Sequence, residues 1–535
     1  LAFQYCLKAA NMEDSGAMCT LGYYYENGIG CQKDENKAFE YYKKASDLDN
    51  LRGMANLGYC YEVGIGIEKD ETKAVDMYRK AADLGYDVAM CNLAFCYENG
   101  IGVKCDLEKA IEYYQQAIQK NNLRAMCNLA NLYEEGYVHG QKDYEKAKKL
   151  YEQAAQFNYP RAFCNLGLYY EEGLGVEQNV ELAFDYYYKA ATLDDEVAMC
   201  NLGYCYEMGI GVSKDLKEAF YWYEKSAQQD YPRAYCNLGL FYEFGKLDEA
   251  DETKAFDYYQ KASQLHYPPA LCRIGECYED GLGVEQDLEQ ALHYYEMGGS
   301  FGHGQSLYNQ GRFYECGIVV TTDYQKALDY YHKAWDGGCL DACIAMGGMY
   351  ELGRGVKKDY QKAFQYYVAA KDASYSRGYY ALANMYKLGL GVEKDISTAL
   401  EYFTIAADKG HVSSMYNLAV LYDFEAPQEY MNIEKAIEYY QKAAKAGHLG
   451  AMNNLGVCYR EGTGVETDLD KAFELFFKSA RGGDGHACLN VAYAYFYGEG
   501  VSQNMMEAKY WCQKAMDAKL KNAKELMKKK KKEKE

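Results

Sequence analysis

Proline is nearly absent, with 5 residues in 535. Helices can therefore run without the lost hydrogen bond and ring clash that proline brings. Histidine is also scarce. The eight residues (139, 266, 293, 303, 332, 411, 448 and 486) are spread along the chain, too dispersed for a metal cluster or for a base beside a nucleophile. There is no Gly-rich phosphate loop ending in Lys-Ser/Thr, no His-Glu-X-X-His and no Cys-X-X-Cys. No catalytic activity, cofactor or metal site is expected. Positive charge is in deficit: Lys+Arg 58 against Asp+Glu 79, a net charge of −21. That balance repels a nucleic-acid backbone. No apolar run reaches the roughly 18 residues that a spanning helix needs, so membrane insertion is not expected. Asn-X-Ser/Thr acceptors are missing too.

In excess are tyrosine (60), glycine (50) and cysteine (20), and all three recur at fixed places. A Leu-Gly or Leu-Ala pair, or a close variant, comes back with Tyr four places after its first member. That Tyr is present in fourteen copies, from Tyr25, Tyr61 and Tyr97 to Tyr459 and Tyr495. Eleven of the thirteen intervals are 36 residues and two are 37. Such a period means stacked supersecondary units in which each buries its apolar face on its neighbours.

The cysteines follow the period. Seven share one column (Cys19, Cys91, Cys127, Cys164, Cys200, Cys236, Cys272) and five another (Cys60, Cys96, Cys205, Cys277, Cys458). Equivalent positions in adjacent repeats should lie about 8–10 Å apart, beyond the roughly 7 Å that a disulfide allows between Cα atoms. Free thiols serving as small packing residues are expected, which places the protein in a reducing, cytoplasmic compartment.

The unit from Glu196 to Asp230 shows the physics of one repeat. Ala198, Leu202 and Tyr206 recur every four residues and stack on one face of a helix A over Val197 to Glu207. Gly203 belongs to a column of Gly or Ala that lets another helix approach. Gly209 stops the helix, and thirteen of fourteen repeats have Gly there. A second Gly follows two residues later in ten repeats, here Gly211. Helix B starts at Asp215, a column of Asp in eleven repeats and Asn in three (Asn179, Asn432, Asn504). Such side chains cap the free N–H groups of a first turn, a better reading than a row of catalytic or metal-binding aspartates. Ala219 is Ala in every repeat. Paired aromatics follow, Trp222-Tyr223 here and Tyr41-Tyr42 or Tyr113-Tyr114 elsewhere. Large rings facing small residues across the A/B seam make an interlocking core.

The run Ala198, Leu202-Gly203, Tyr206, Gly209-Ile210-Gly211, Asp215, Ala219, Trp222-Tyr223, Ala227 resembles a Sel-1-like repeat, a helical cousin of the tetratricopeptide repeat. The resemblance covers nearly the whole chain. It implies an all-α, right-handed superhelical solenoid of about fourteen antiparallel helix pairs, with the A helices lining the concave side. It implies adaptors and scaffolds, including cofactors of membrane ubiquitin ligases. A cysteine-rich bacterial branch staples its two helices with a disulfide that needs Cys near the end of helix B. Here Ala or Ser stands there, as in Lys189-Ala190-Ala191 and Lys225-Ser226-Ala227, which speaks against that branch.

Residues 1–10 fit the terminal helix of a preceding repeat, residues 11–519 form the array, and residues 520–535 are a basic C-terminal tail. Four A–B loops depart from the pattern: Gly136 to Gly140, Gly245 to Glu249, Gly317 to Val320, and Asp423 to Gln428. The segment 298–304, Gly-Gly-Ser-Phe-Gly-His-Gly, places four glycines at the end of a helix B and is a candidate bend. The next repeat has Gln310 where Leu is usual.

The expected function is a non-enzymatic interaction scaffold or adaptor that takes a protein or peptide in its concave groove and assembles a complex. The alternatives are a structural component embedded in a large assembly, a ubiquitin-ligase cofactor, and a groove-based hydrolase. On a wheel of 100° per residue, Cys200, Tyr204 and Glu207 point away from the Ala198, Leu202, Gly203 and Tyr206 face. The Glu207 column is Glu in ten successive repeats: Glu26, Glu62, Glu98, Glu134, Glu171, Glu207, Glu243, Glu279, Glu315 and Glu351. It then changes to Lys387, Asp423, Arg460 and Phe496. The Tyr204 column is aromatic early, at Tyr23, Tyr59 and Phe95. These residues are the expected groove, acidic and flanked by aromatics, for a segment rich in Lys or Arg. The other reading of the Glu column is that it simply solvates an exposed helix end. Replacing Glu134, Glu171 and Glu207 with Lys is expected to abolish binding without unfolding the array.

Overall fold

A computed structural model describes residues 1–138, 140–520 and 522–523. His139 and the Lys-rich end of the tail lie outside the described residues. Among the described residues all regular structure is helical and no strand occurs. A helix at Ala2–Ala10 comes first, and fourteen A/B pairs follow, from Ser15–Asn27 with Glu35–Asp47 to Gly485–Tyr497 with Met505–Asp517. The described chain divides into two compact units, Leu1–Leu265 and one that starts at His266. Within each, a helix touches its neighbours in sequence, and some A helices also touch the A helix of the next repeat, as Ser15–Asn27 touches Leu51–Val63.

The local causes can be read from single residues. Every B helix is capped as expected: the side chain at each Asp or Asn of the Asp215 column accepts a first-turn N–H, as Asp34 does from Lys37 and Asn179 from Leu182. The first loop glycine is a left-handed C-cap, with φ 76° at Gly209. The second serves a different purpose. Gly211 has φ 67°, and a Cβ there would lie 2.1 Å from the carbonyl oxygen of Val180 in the preceding repeat. It lets one repeat's loop sit on the start of the previous helix B.

The core lies in the A/B seam. Tyr42, Tyr78, Tyr114, Tyr187 and Tyr223 are fully buried with their Ala partners Ala38, Ala74, Ala110, Ala183 and Ala219. A Cβ on Gly203 would meet the Tyr223 ring at 2.7 Å. The first ring of several aromatic pairs instead stacks on the Tyr of its own helix A, as Tyr41 does on Tyr25 with centroids 5.6 Å apart and Tyr258 on Tyr242 at 5.6 Å, whereas Trp222 meets Tyr188 edge-on.

The four-glycine segment does not shorten its helix, which runs through Leu288–Ser300. Its glycines accommodate a buried polar cluster in the next repeat. A Cβ on Gly298 would strike Ser306, and one on Gly299 would strike the Gln310 amide. Gln310 is buried and donates from Nε2 to the Tyr295 carbonyl at 2.6 Å. Of the four irregular loops, the one at Asp423 to Gln428 differs most. Helix Val412–Val420 passes into a π turn at Leu421–Glu425 and then a 3₁₀ turn at Gln428–Tyr430.

Candidate functional site

The expected groove begins with the Glu207 column, and its geometry revises the reading. Each of the ten glutamates accepts a hydrogen bond from the core Tyr of its own helix B. Tyr42 donates to Glu26, Tyr78 to Glu62, Tyr114 to Glu98, Tyr151 to Glu134, Tyr187 to Glu171, Tyr223 to Glu207, Tyr295 to Glu279, Tyr331 to Glu315 and Tyr367 to Glu351, at 2.5–3.1 Å. Tyr259 donates to Glu243 in the same way. In the twelfth repeat Tyr440 donates to Asp423 at 3.0 Å. Where the acid is lost, so is the hydroxyl: Lys387 faces a repeat with Phe403, Arg460 one with Phe476, and Phe496 one with Cys512. The column therefore satisfies a hydroxyl whose ring is buried, and does more than solvate a helix end. Burial and the carboxylate together hold the Tyr78 and Tyr114 hydroxyls far above the ordinary tyrosine range. Burial also raises Glu98 and Glu134 above the usual carboxylate range, against the pull of their tyrosine bonds.

One carboxylate oxygen is left over by the tyrosine, and two repeats fill it from within the chain. Lys246, from the A–B loop of the following repeat, reaches Glu207 Oε1 at 2.7 Å while Tyr223 holds Oε2. Arg354 reaches Glu315 Oε1 at 2.8 Å in the same manner. Arg312 instead joins Tyr295 at the same Oε2 of Glu279. In the first five repeats Glu26, Glu62, Glu98, Glu134 and Glu171 make no ion pair with any described residue. The matching loop positions of the repeats that follow them hold Ile65, Ile101, Tyr137, Leu174 and Ile210.

The aromatic column is solvent-exposed. Tyr23, Tyr59, Phe95 and Tyr204 are all exposed, Tyr59 at 46% and Phe95 at 42%. Cys200, placed beside them by the wheel, is fully buried. The A helix of the next repeat covers it, and Asn237 donates to its Sγ at 3.5 Å. The Lys triple change at Glu134, Glu171 and Glu207 is not a clean probe of the surface, because it strips the acceptor from Tyr151, Tyr187 and Tyr223.

Tyr59, Phe95, Glu62 and Glu98 converge on one cavity of about 490 Å³ in the first unit. Residues that the sequence did not single out complete it: Asn56, Asn92, Asn128 and Asn131, with Arg124 and Arg161. Arg124 donates to Asn92 Oδ1 and to Cys91 Sγ. Two guanidinium groups thus stand among the carboxylates of this cavity, and Arg161 pulls on Glu98. All twenty cysteines are free thiols, and most are buried. Burial pushes the Cys60, Cys96 and Cys205 thiols up to about 12. No described helix is long and apolar enough to cross a membrane.

A family model described as Sel1 repeat matches the chain fourteen times, at residues 15–50, 51–86, 87–122, 123–156, 160–195, 197–231, 232–267, 268–300, 304–339, 340–375, 376–411, 412–448, 450–484 and 485–519. Among solved structures, one similar protein is a protective antigen present in uropathogenic Escherichia coli strains that displays an SLR fold. It is 27% identical, with 85% of this chain and 97% of that one covered and a TM-score of 0.45. A Sel1 repeat protein from Oxalobacter formigenes is 33% identical over 46% of this chain and 99% of that one, with a TM-score of 0.42. Yeast Tom70 is 16% identical over 94% and 95% of the two chains, with a TM-score of 0.35. No curated protein matched the sequence.

Proposed function

The chain belongs to the Sel1 repeat family, and from that membership we propose that it is a non-enzymatic scaffold that holds a segment of a partner protein across its A helices. Sel1 repeats generally mediate protein–protein interaction. The observation that carries the finer reading is the pairing of exposed Tyr59 and Phe95 with carboxylates whose outer oxygen is unfilled. Lys246 on Glu207 and Arg354 on Glu315 supply an internal precedent for what such an oxygen takes. A Lys or Arg of a bound segment would repeat that contact at Glu26, Glu62, Glu98, Glu134 or Glu171, while its apolar side chains lie on the rings. The continuous part of the acidic groove is thereby narrowed to the first five repeats, with Glu243 and Glu351 standing apart from it. Each ion pair adds only about 0–1 kcal/mol at a surface, so the grip depends on several pairs together with the aromatics. The free thiols support a reducing compartment such as the cytoplasm.

The test leaves the carboxylates in place. Partners captured by the full chain are compared with those captured by a Tyr59→Ser/Phe95→Ser variant, whose substitutions lie on exposed side chains. The partner should be lost from the variant, and its binding to the wild type should weaken steeply with salt. Undiminished capture by the variant, or cross-links from the partner confined to the B helices, would overturn the reading.

A further inference from the structure

Three columns of the B helices have their exceptions in the same two places. Two residues after the invariant alanine, nine repeats carry Asp or Glu and three carry Lys149, His293 or Gln365; the other two carry Tyr221 and Tyr510. The next residue is Trp in those two repeats alone, at Trp222 and Trp511. Five residues after the alanine, Tyr or Phe occurs twice, each time in the repeat just before, at Tyr188 and Phe477. The two sets assemble alike. Trp222 lies 6.2 Å from Tyr188 and 5.2 Å from Tyr221, with ring planes 71° and 78° apart. Trp511 lies 5.6 Å from Phe477 and 5.2 Å from Tyr510, with planes 67° and 83° apart. Phe184 adjoins Tyr188 as Phe473 adjoins Phe477. One cluster belongs to the unit Leu1–Leu265 and the other to the unit that starts at His266. The buried neighbours have diverged meanwhile: Tyr187 and Tyr223 of the first set are Phe476 and Cys512 in the second. Tyr188, Tyr221 and Tyr510 are 46%, 47% and 53% exposed, so the core does not require them. Clustered exposed rings, Tyr beside Trp, are the composition of an interface.

The charge beside the rings narrows the occupant. Nine repeats have Lys six residues after the alanine, and in seven of them Asp or Glu precedes it by one helical turn. That pair is closed at Glu438 and Lys442, 2.7 Å apart. The remaining two lysines are Lys225 and Lys514, whose acid is replaced by Tyr221 and Tyr510. Each ammonium lies over that ring, at 5.6 and 5.8 Å, and neither makes an ion pair with a described residue. The acids of the preceding helix B, Asp185 and Glu474, stand one turn before lysines of their own, Lys189 and Lys478. We infer that the clusters are two equivalent docking sites, each for a partner segment that lays a large apolar side chain on the rings and sets an Asp or Glu beside it on Lys225 or Lys514. The sites are independent of the groove on the A helices and give the scaffold a second class of ligand, two to a chain. An anionic membrane is disfavoured by the net charge of −21.

The test uses substitutions that the fold already accepts. Tyr221→Glu and Tyr510→Glu each install the residue class that nine repeats carry at this place, so both variants should melt close to the wild type. An immobilised library of short random peptides is probed with the full chain and with the double variant. The peptides that the double variant loses should carry Phe, Tyr, Trp, Leu or Met next to Asp or Glu. In calorimetric titration such a peptide should bind the wild type with two equivalents per chain, either single variant with one, and the double variant with none. Lys225→Glu/Lys514→Glu should weaken it about tenfold, and Tyr59→Ser/Phe95→Ser should leave it unchanged. Loss of no peptide by the double variant, loss of basic or uncharged peptides only, or one equivalent per wild-type chain overturns the inference, and none of these touches the groove reading. Dimerisation, or binding to phosphatidylserine vesicles, that the double variant abolishes would name a different occupant and overturn it equally.

Discussion

Removing the Glu171 carboxylate would leave the Tyr187 hydroxyl, at the edge of a buried ring, without its acceptor. An unsatisfied group of this kind costs about 1–3 kcal/mol. Glu171→Ala is therefore expected to lower stability by about that amount, and Glu171→Ala/Tyr187→Phe to recover most of it. The repeat containing Lys387 and Phe403 already lives with such a solution. Urea unfolding of the two variants and of Tyr187→Phe closes the cycle, and additive losses would show that the pair is not coupled. The thiols give a second expectation at this scale. Cys105 and Cys316 are exposed, and they should react with a disulfide reagent at pH 8 well before Cys60, Cys96 and Cys205, whose thiols sit at about 12. In denaturant without reductant all 20 should titrate. A shortfall would mean disulfides in the protein as it is made.

Among the ten described non-glycine residues with positive φ, Val319 is the β-branched one and so the most strained. Val319 stands where ten repeats have their second glycine, and it holds φ 51° with its side chain exposed. A left-handed conformation costs an L-residue about 1–2 kcal/mol, and glycine returns about 0.5–1 kcal/mol of that in extra unfolded-state entropy. Val319→Gly should therefore raise stability by up to about 1 kcal/mol in thermal unfolding, although a valine is being deleted. At this scale much was legible in advance. The Asp215 column announced its caps because a cap needs only a residue type and a spacing, and Tyr223 announced the core because it faced Gly203 and Ala219. The purpose of Gly211 was not legible, because the atom it must avoid belongs to Val180 in another repeat. Cys200 was misplaced for the same reason: a helical wheel knows one helix, and the covering Asn237 comes from the next. The Glu207 column was half legible. Its outward tilt was right, and the Tyr223 hydroxyl that claims it arrives sixteen residues later from helix B. The signal was present in the paired exceptions Lys387 with Phe403 and Arg460 with Phe476. The Asn128 column, Asn in ten of fourteen repeats, was a legible pattern whose purpose was not, because the partners lie in neighbouring repeats.

Across the molecule, contacts run between sequence neighbours, so perturbations should stay local. Within the first unit, hydrogen exchange of Glu171→Ala should quicken in residues 123–231 and stay close to wild type in residues 15–50. Uniform loss of protection through residues 1–265 would show instead that the unit opens as a single block. The bond between the core tyrosine and its carboxylate has a consequence for how such a chain can grow. Donor and acceptor lie in the same repeat, sixteen or seventeen residues apart. A gene segment copied or deleted in whole repeats carries both partners with it and orphans neither. The contacts that cross repeats are of another kind, such as Asn237 on Cys200 or Asn490 on Asn453, and these a new junction would have to match afresh. Inheritance by whole repeats is thus chemically inexpensive in the seam and demanding at the joint. New length is most easily gained where neighbouring joints already agree, as among the Cys/Asn repeats between Cys164 and Asn237.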